Sequence, residues 1–115
     1  MDIEREIIFF ENHFQKFYVI QTKAVRKKIA YVFRIIKTVD KVPSKFLKHL
    51  SGTDGLYEIR VEYEGNIFRI FCCFDAGKLV VLFNGYQKKK QKTDTIEIKK
   101  ALKHKRKYFD QKDKK

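Results

Sequence analysis

The chain has 115 residues, 43% of them hydrophobic and 15% aromatic, enough apolar material for one domain with a core of its own. That content excludes a disordered tail, and its 27 basic and 14 acidic residues, a formal charge of +13 with a pI near 9.8, favour a polyanionic partner, nucleic acid or an acidic protein. No apolar run nears the roughly 18 residues that span a bilayer, and the start Met1-Asp2-Ile3-Glu4-Arg5-Glu6 lacks the basic opening of a signal peptide, so a cytoplasmic protein with no membrane role is expected.

Arg5 to Phe10 contains Ile7-Ile8-Phe9-Phe10, short enough for a strand that joins the main sheet. Asn12 opens a helix in which Phe14, Phe17, Tyr18 and Ile20 fall at helical spacing. Thr22 is the expected N-cap of a second helix. Its stripe of Val25, Ile29, Val32, Phe33, Ile36 and Val39 recurs every three or four residues. Lys23, Arg26, Lys27, Lys28, Arg34 and Lys37 cover most of the rest. A basic amphipathic helix also suits a membrane surface, but a sheet that needs covering follows, so the stripe reads as a core face. Val42-Pro43-Ser44 breaks the pattern. Lys45 to Leu50 is predicted as one helical turn with Phe46, Leu47 and Leu50 inward, and Ser51 to Gly55 as a loop. Lys48 and His49 stand just before that loop, within reach of a polyanion.

Three strands follow. Tyr57, Ile59, Val61 and Tyr63 alternate with Glu58, Arg60 and Glu62, the period of a half-buried strand. Glu64-Gly65-Asn66 supplies a turn. Ile67 to Asp75 is apolar on both faces, with Phe68, Ile70, Cys72 and Phe74 against Ile67, Phe71 and Cys73, as in a central strand covered twice. Ala76-Gly77 makes a hairpin, with glycine free to take a positive φ. Lys78 to Asn84 is the third strand, after which Gly85 to Lys90 leaves the sheet. Asp94 and Glu97 have capping-box spacing for a last helix. Ile98, Ala101, Leu102, Lys105, Tyr108 and Phe109 form its inner face, and its outer face is lysine-rich. Residues 110–115 are polar and expected to fray. The charge is uneven: from Lys88 to Lys115 there are thirteen basic and four acidic residues, a local excess of nine.

The polar exceptions on the sheet carry the functional signal. Arg69 interrupts an apolar strand, and its guanidinium must reach water, a carboxylate or a ligand. Arg60 stands on the neighbouring strand, so the two form a fixed cationic pair if they share a face. The competing reading is that Glu58 or Glu62 pairs with Arg69 and the set is only structural. Cys72 and Cys73 are adjacent in a strand and offer neither a disulfide framework nor zinc spacing; buried packing thiols are expected. His13, His49 and His104 are scattered and give no readable metal site.

Taken in order, Leu50-Ser-Gly-Thr-Asp-Gly-Leu-Tyr-Glu-Ile-Arg60, Phe68-Arg69-Ile70, Leu82-Phe-Asn-Gly-Tyr-Gln-Lys-Lys89, Gln91-Lys-Thr93, Glu97-Ile98 and Ala101 resemble the RelE/ParE superfamily of type II toxins, in its HigB-like, phage-derived branch. The resemblance spans roughly residues 5–109. It implies an α+β fold, with two N-terminal helices and a C-terminal helix on a small, twisted, mainly antiparallel sheet. It implies a toxin that cuts mRNA on the ribosome, inhibiting translation without a metal or other cofactor. It also implies a cognate helix-turn-helix, HigA-like antitoxin, with operator DNA bound only through the toxin–antitoxin complex.

Attack by the RNA's own 2′-OH needs a proton acceptor, positive charge on the phosphorane and a proton donor at the leaving 5′ oxygen. Glu58 is the carboxylate available as base. Arg60 and Arg69 offer the planar fork that suits phosphate. Lys88 or Lys89 can add charge or assist the leaving group, and Tyr86 can stack on a base or donate a proton. Lys48, Lys90, Lys92, Lys99 and Lys103 would grip RNA through its phosphates. Where this sequence has Glu58, RelE has a lysine; the tyrosine of RelE's last helical region has no match here, Thr95 falling near its position; and the histidine that some HigB members use is absent at the third strand's exit. The proline common after the Lys-Thr motif is Asp94 here, a change expected to touch only the helix start. Two other readings fit the same fold: a ParE-like poison of DNA gyrase, and a catalytically silent nucleic-acid-binding or corepressor relic.

Overall fold

The computed structural model describes residues 3–89 and 94–114. In chain order the elements are β1 (Glu6–Phe9), α1 (His13–Val19), α2 (Lys23–Thr38), β2 (Leu47–His49), β3 (Tyr57–Tyr63), β4 (Asn66–Asp75), β5 (Leu79–Lys88) and α3 (Thr95–Asp113). The five strands form one sheet in the order β1-β5-β4-β3-β2. β1 runs parallel to β5, and every other pairing is antiparallel. The architecture is α+β, with α1 and α2 on one face of the sheet and α3 on the other.

Alternation along the strands explains the two layers. Ile59, Val61, Phe68, Ile70, Cys72, Val80 and Leu82 face α1 and α2, where they meet Phe14, Phe17, Val25, Ile29, Val32 and Ile36. Leu56, Phe71, Cys73, Val81 and Phe83 face the other way and meet Ala101 of α3. β4 is therefore the doubly covered central strand that its composition predicts. Both cysteines are free and buried, and burial pushes their thiols up, Cys73 to about 11, which suits packing rather than reactivity.

Thr22 caps α2 as expected, its hydroxyl accepting from Val25 N at 3.2 Å. At the far end of α2, the Arg5 guanidinium donates to the carbonyls of Ile36, Val39 and Asp40 at 2.7–2.8 Å, satisfying the negative end of the helix. Thr22→Ala is expected to cost about 1 kcal/mol, seen as a lower midpoint in thermal unfolding with unchanged secondary structure.

Four local readings differ. Lys45 to Leu50 is not one helical turn: the turn lies earlier, closed by Phe46 N and Leu47 N on Pro43 O, and from Leu47 the chain extends as β2 against β3. The open edge of β3 needs hydrogen-bond partners, and that demand outweighs the local helical spacing. The third strand does not end at Asn84 but runs to Lys88, because Ile67 to Ile70 of β4 pair with Gly85 to Lys88. Ile20 lies outside α1 and is 78% exposed. The stretch expected to fray is helical to Asp113, and Lys112 reaches back to the buried Asp75 at 2.8 Å.

The turns behave as their residues predict. Glu64 and Gly65 both take positive φ, 48° and 80°, making the two-residue link whose twist suits a hairpin. β5 holds the main irregularity. Ile70 pairs with Gly85 and Cys72 with Leu82, so Phe71 alone opposes both Phe83 and Asn84. This bulge shifts the alternation by one residue. Beyond it, Gly85 turns toward Phe17 and Tyr86 turns toward Phe71 on the α3 face.

Candidate phosphate-binding site on the sheet

The register of β3, β4 and β5 assembles the site. Arg60 is paired with Arg69, and Arg69 with Tyr86, so these three residues form one cross-strand row. The adjacent rows hold Lys48, Glu58 and Phe71 on one side, and Glu62, Ile67 and Lys88 on the other. Strand pleating puts directly opposed residues on the same face. Lys48, Glu58, Arg60, Arg69, Tyr86 and Lys88 therefore share the α3 face. Helix α3 covers the apolar part of that face around Phe71 and Phe83, packing its Ala101 there. The charged rows toward β2 stay open as a groove of about 390 Å³ lined by Ser44, Lys45, Lys48, Glu58, Arg60, Glu62 and Arg69.

Arg69 sits at its centre. Its Nε lies 3.0 Å from Glu58 Oε2, but the N–H points off line, so this is an ion-pair contact without a hydrogen bond. Its Nη1 donates to Asp94 Oδ2 at 2.6 Å. The same Asp94 oxygen is 3.8 Å from Lys88 Nζ. Glu58 is only 7% exposed, and Arg69 is the cation that faces it. The side chain of Arg60 is 39% exposed and makes a long contact, 3.8 Å, to Glu62, so it is freer than Arg69 to meet a ligand, as are the exposed Lys45 and Lys48 of the same groove. The two arginines do share a face, and each contacts carboxylates of its own, Arg60 Glu62 and Arg69 Glu58 and Asp94.

Asp94 is the residue that sequence reasoning missed. Capping-box spacing assigns its carboxylate to the start of α3, yet it makes no side-chain cap bond and reaches Arg69 instead. The other member of the box is diverted too: the side-chain amide of Asn84 donates to Glu97 Oε1 at 3.2 Å. The only available signal was that an aspartate follows a lysine-rich exit and that Arg69 needs a counter-charge.

Tyr86 stacks on Phe71 with centroids 5.9 Å apart, which commits one ring face to packing. Its hydroxyl is buried with no hydrogen-bond partner among the described residues. Burial first, and then the neighbouring Asp94 carboxylate, push its pKa well above the ordinary tyrosine value, so it stays protonated at neutral pH. Lys89 does not join the cluster. It is exposed and lines a separate hollow with His13, Lys16 and Gln87 on the α1 side. Lys99 and Lys103 lie exposed on α3, and Lys90 and Lys92 lie outside the described residues.

Two other features bear on function. A wider hollow, about 790 Å³, lies at the opposite end, between β1, the end of α2 and the β4–β5 turn. Its buried carboxylate, Asp75, already accepts from Tyr108 Oη at 2.7 Å and from Lys112 Nζ at 2.8 Å, and the other two, Glu4 and Glu6, are exposed. Two of the scattered histidines also meet: His13 and His104 stack with centroids 3.8 Å apart, while His13 Nε2 contacts Glu11 Oε1 at 2.8 Å and Lys107 Nζ reaches Glu11 Oε2 at 2.8 Å. Among the described residues, no three His, Cys, Asp or Glu side chains converge as metal ligands.

Burial, then His13, lowers His104 below its ordinary value of 6.5; Glu11 opposes this, while Lys107 and Lys103 add to it. The unfolded chain therefore takes up this proton first as pH falls. Stability contributed by neutral His104 is present above about pH 6.5 and declines below it until the folded protein also protonates. His104→Gln is expected to flatten the dependence of melting temperature on pH between about 5 and 7, in thermal scans over a buffer series.

The site and fold together define a small α+β protein with a cationic groove beside a buried carboxylate and a buried phenol. The family of phage-derived, Gp49-like proteins (DUF891) matches residues 13–106, and the chain belongs to that family, which is RelE-like and toxin-like. A search of the curated proteins found no match. Among the described residues no helix is long and apolar enough to cross a membrane.

Proposed function

We propose that this protein is the toxin of a type II toxin–antitoxin pair, of the HigB-like branch, and that it cleaves mRNA on the ribosome. The observation that carries the reading is the groove in which Lys48, Glu58, Arg60 and Arg69 meet on the open part of the α3 face, with Tyr86 next to Arg69 in the same cross-strand row and Lys88 in the adjacent one. The chemistry is transesterification. A carboxylate, Glu58, takes the proton of the 2′-OH as that oxygen attacks the adjacent phosphorus. Arg60 and Arg69 hold the non-bridging oxygens as negative charge builds on them. The P–O5′ bond breaks, and the leaving oxygen takes a proton from Tyr86 or Lys88. The products are a 2′,3′-cyclic phosphate and a 5′-hydroxyl, with no net change of charge or oxidation state.

Outside the groove, Lys99 and Lys103 on α3 add a sequence-blind grip on ribosomal RNA. The pairing partner is a helix-turn-helix antitoxin that covers the cationic groove, and operator DNA is met only through that complex. The test is induced expression in cells with mRNA ends mapped by primer extension. Codon-phased cuts bearing 5′-hydroxyl ends support the reading. Growth arrest with intact messages and blocked supercoiling would move the target to gyrase. Absence of any arrest would leave a binding module.

A further inference from the structure

Asp94 is placed as a ligand rather than as a helix cap. One oxygen, Oδ2, takes the hydrogen bond from Arg69 Nη1 at 2.6 Å and lies 3.8 Å from Lys88 Nζ. A single oxygen set between a guanidinium and an ammonium occupies the position that a non-bridging phosphate oxygen would take. The side chain is 11% exposed, so this contact is largely shielded from solvent. Its own helix gains no capping hydrogen bond from it. The backbone carbonyl of Asp94 accepts from Ile98 N at 2.9 Å, but the carboxylate leaves the first-turn N–H groups unserved. Glu58 already faces Arg69 from the other side at 3.0 Å, so a second carboxylate is not required to neutralise the one guanidinium.

We propose that Asp94 is an internal stand-in for the substrate phosphate: its carboxylate holds Arg69 in the unliganded protein and yields that position to an RNA phosphodiester. This rests on the reading of the groove as an RNA site. The exchange needs only rotation of the Asp94 side chain, and no covalent bond changes. It has two consequences. The arginine is kept in place before substrate arrives, and affinity for loose single-stranded RNA is held down by the fraction of molecules in which the carboxylate is bound. An RNA already positioned, as on a ribosome, competes more effectively because its local concentration is higher.

The test uses the full chain and a short single-stranded RNA with 2′-O-methyl riboses, which binds without being cut, followed by fluorescence anisotropy at low salt. Asp94→Asn keeps the shape, and asparagine is at least as good a helix cap, so the fold is expected to survive; a thermal melt checks this. The expected result is roughly tenfold tighter binding by Asp94→Asn, with the gain absent when Arg69→Gln is also present. If Arg69→Gln weakens binding but Asp94→Asn leaves it unchanged or weaker, Asp94 is a strut for Arg69 and the proposal falls alone. If Arg69→Gln has no effect on RNA binding, the groove is not the RNA site, and both readings fall.

Discussion

Arg69→Ala is expected to lower the rate of message cleavage by roughly 10²–10³-fold, the usual cost of removing one preorganised donor from a developing oxyanion. The residue is central in the row Arg60–Arg69–Tyr86 and touches two carboxylates, Glu58 at 3.0 Å and Asp94 at 2.6 Å. That double contact means the alanine variant also loses stability, on the order of 1–3 kcal/mol, because Glu58 is left largely buried without its cation. Arg69→Lys separates the two effects. It keeps a charge between the carboxylates, so stability should stay within about 1 kcal/mol, while a single ammonium cannot offer the two-pronged fork and activity should still fall by roughly tenfold or more. The check is cleavage of ribosome-bound message by purified protein, beside thermal melts of the same preparations. A lysine variant as active as wild type would show that only charge matters here. An alanine variant that still cuts would remove Arg69 from the chemistry.

Gly85 gives the largest expected effect on stability. A Cβ at this position would stand 2.7 Å from Phe17 Cδ2 and 2.9 Å from Phe17 Cγ. Phe17 is 6% exposed and packs between Phe14 and Phe68, with centroids 6.1 Å and 6.3 Å away, so it has little room to move. Gly85 is not among the glycines at positive φ. On backbone grounds alone alanine would therefore stabilise by some 0.4–1 kcal/mol. The steric term is larger and opposite: overpacking a filled core costs about 1–3 kcal/mol. Gly85→Ala should thus lower the melting temperature by several degrees, and Gly85→Val by more. Phe17→Leu should recover part of the loss in a double-mutant cycle. A Gly85→Ala protein as stable as wild type would mean that Phe17 and β5 are spaced more loosely than this structure has them. The position also bears on the site, since Tyr86 owes its face to the bulge that ends at Gly85.

The sequence by itself determines the layers. Period-two alternation in residues 57–63, the doubly apolar run of 67–75 and the stripe of Val25, Ile29, Val32 and Ile36 each report which side of an element is buried, and that is a local property that a short window contains. The cap at Thr22 and the turn at Glu64-Gly65 were legible for the same reason. So was the functional suspicion attached to Arg69, because an obligate cation inside an apolar strand needs a partner.

What that partner is, only the tertiary structure decides. Asp94 is 25 residues away in sequence, and its spacing to Glu97 speaks for a cap that it does not form. Arg60 and Arg69 share a face because of the β3–β4 register, while Tyr86 joins them because one bulge displaces the alternation of β5. β2 extends because an open sheet edge lies beside it, and His13 meets His104 because α3 returns to the corner between β1 and α1. Each of these depends on where a distant segment lands. Periodicity encodes which face of an element is buried, but the pairing of charged groups across elements is set by register and chain return, for which no local pattern exists.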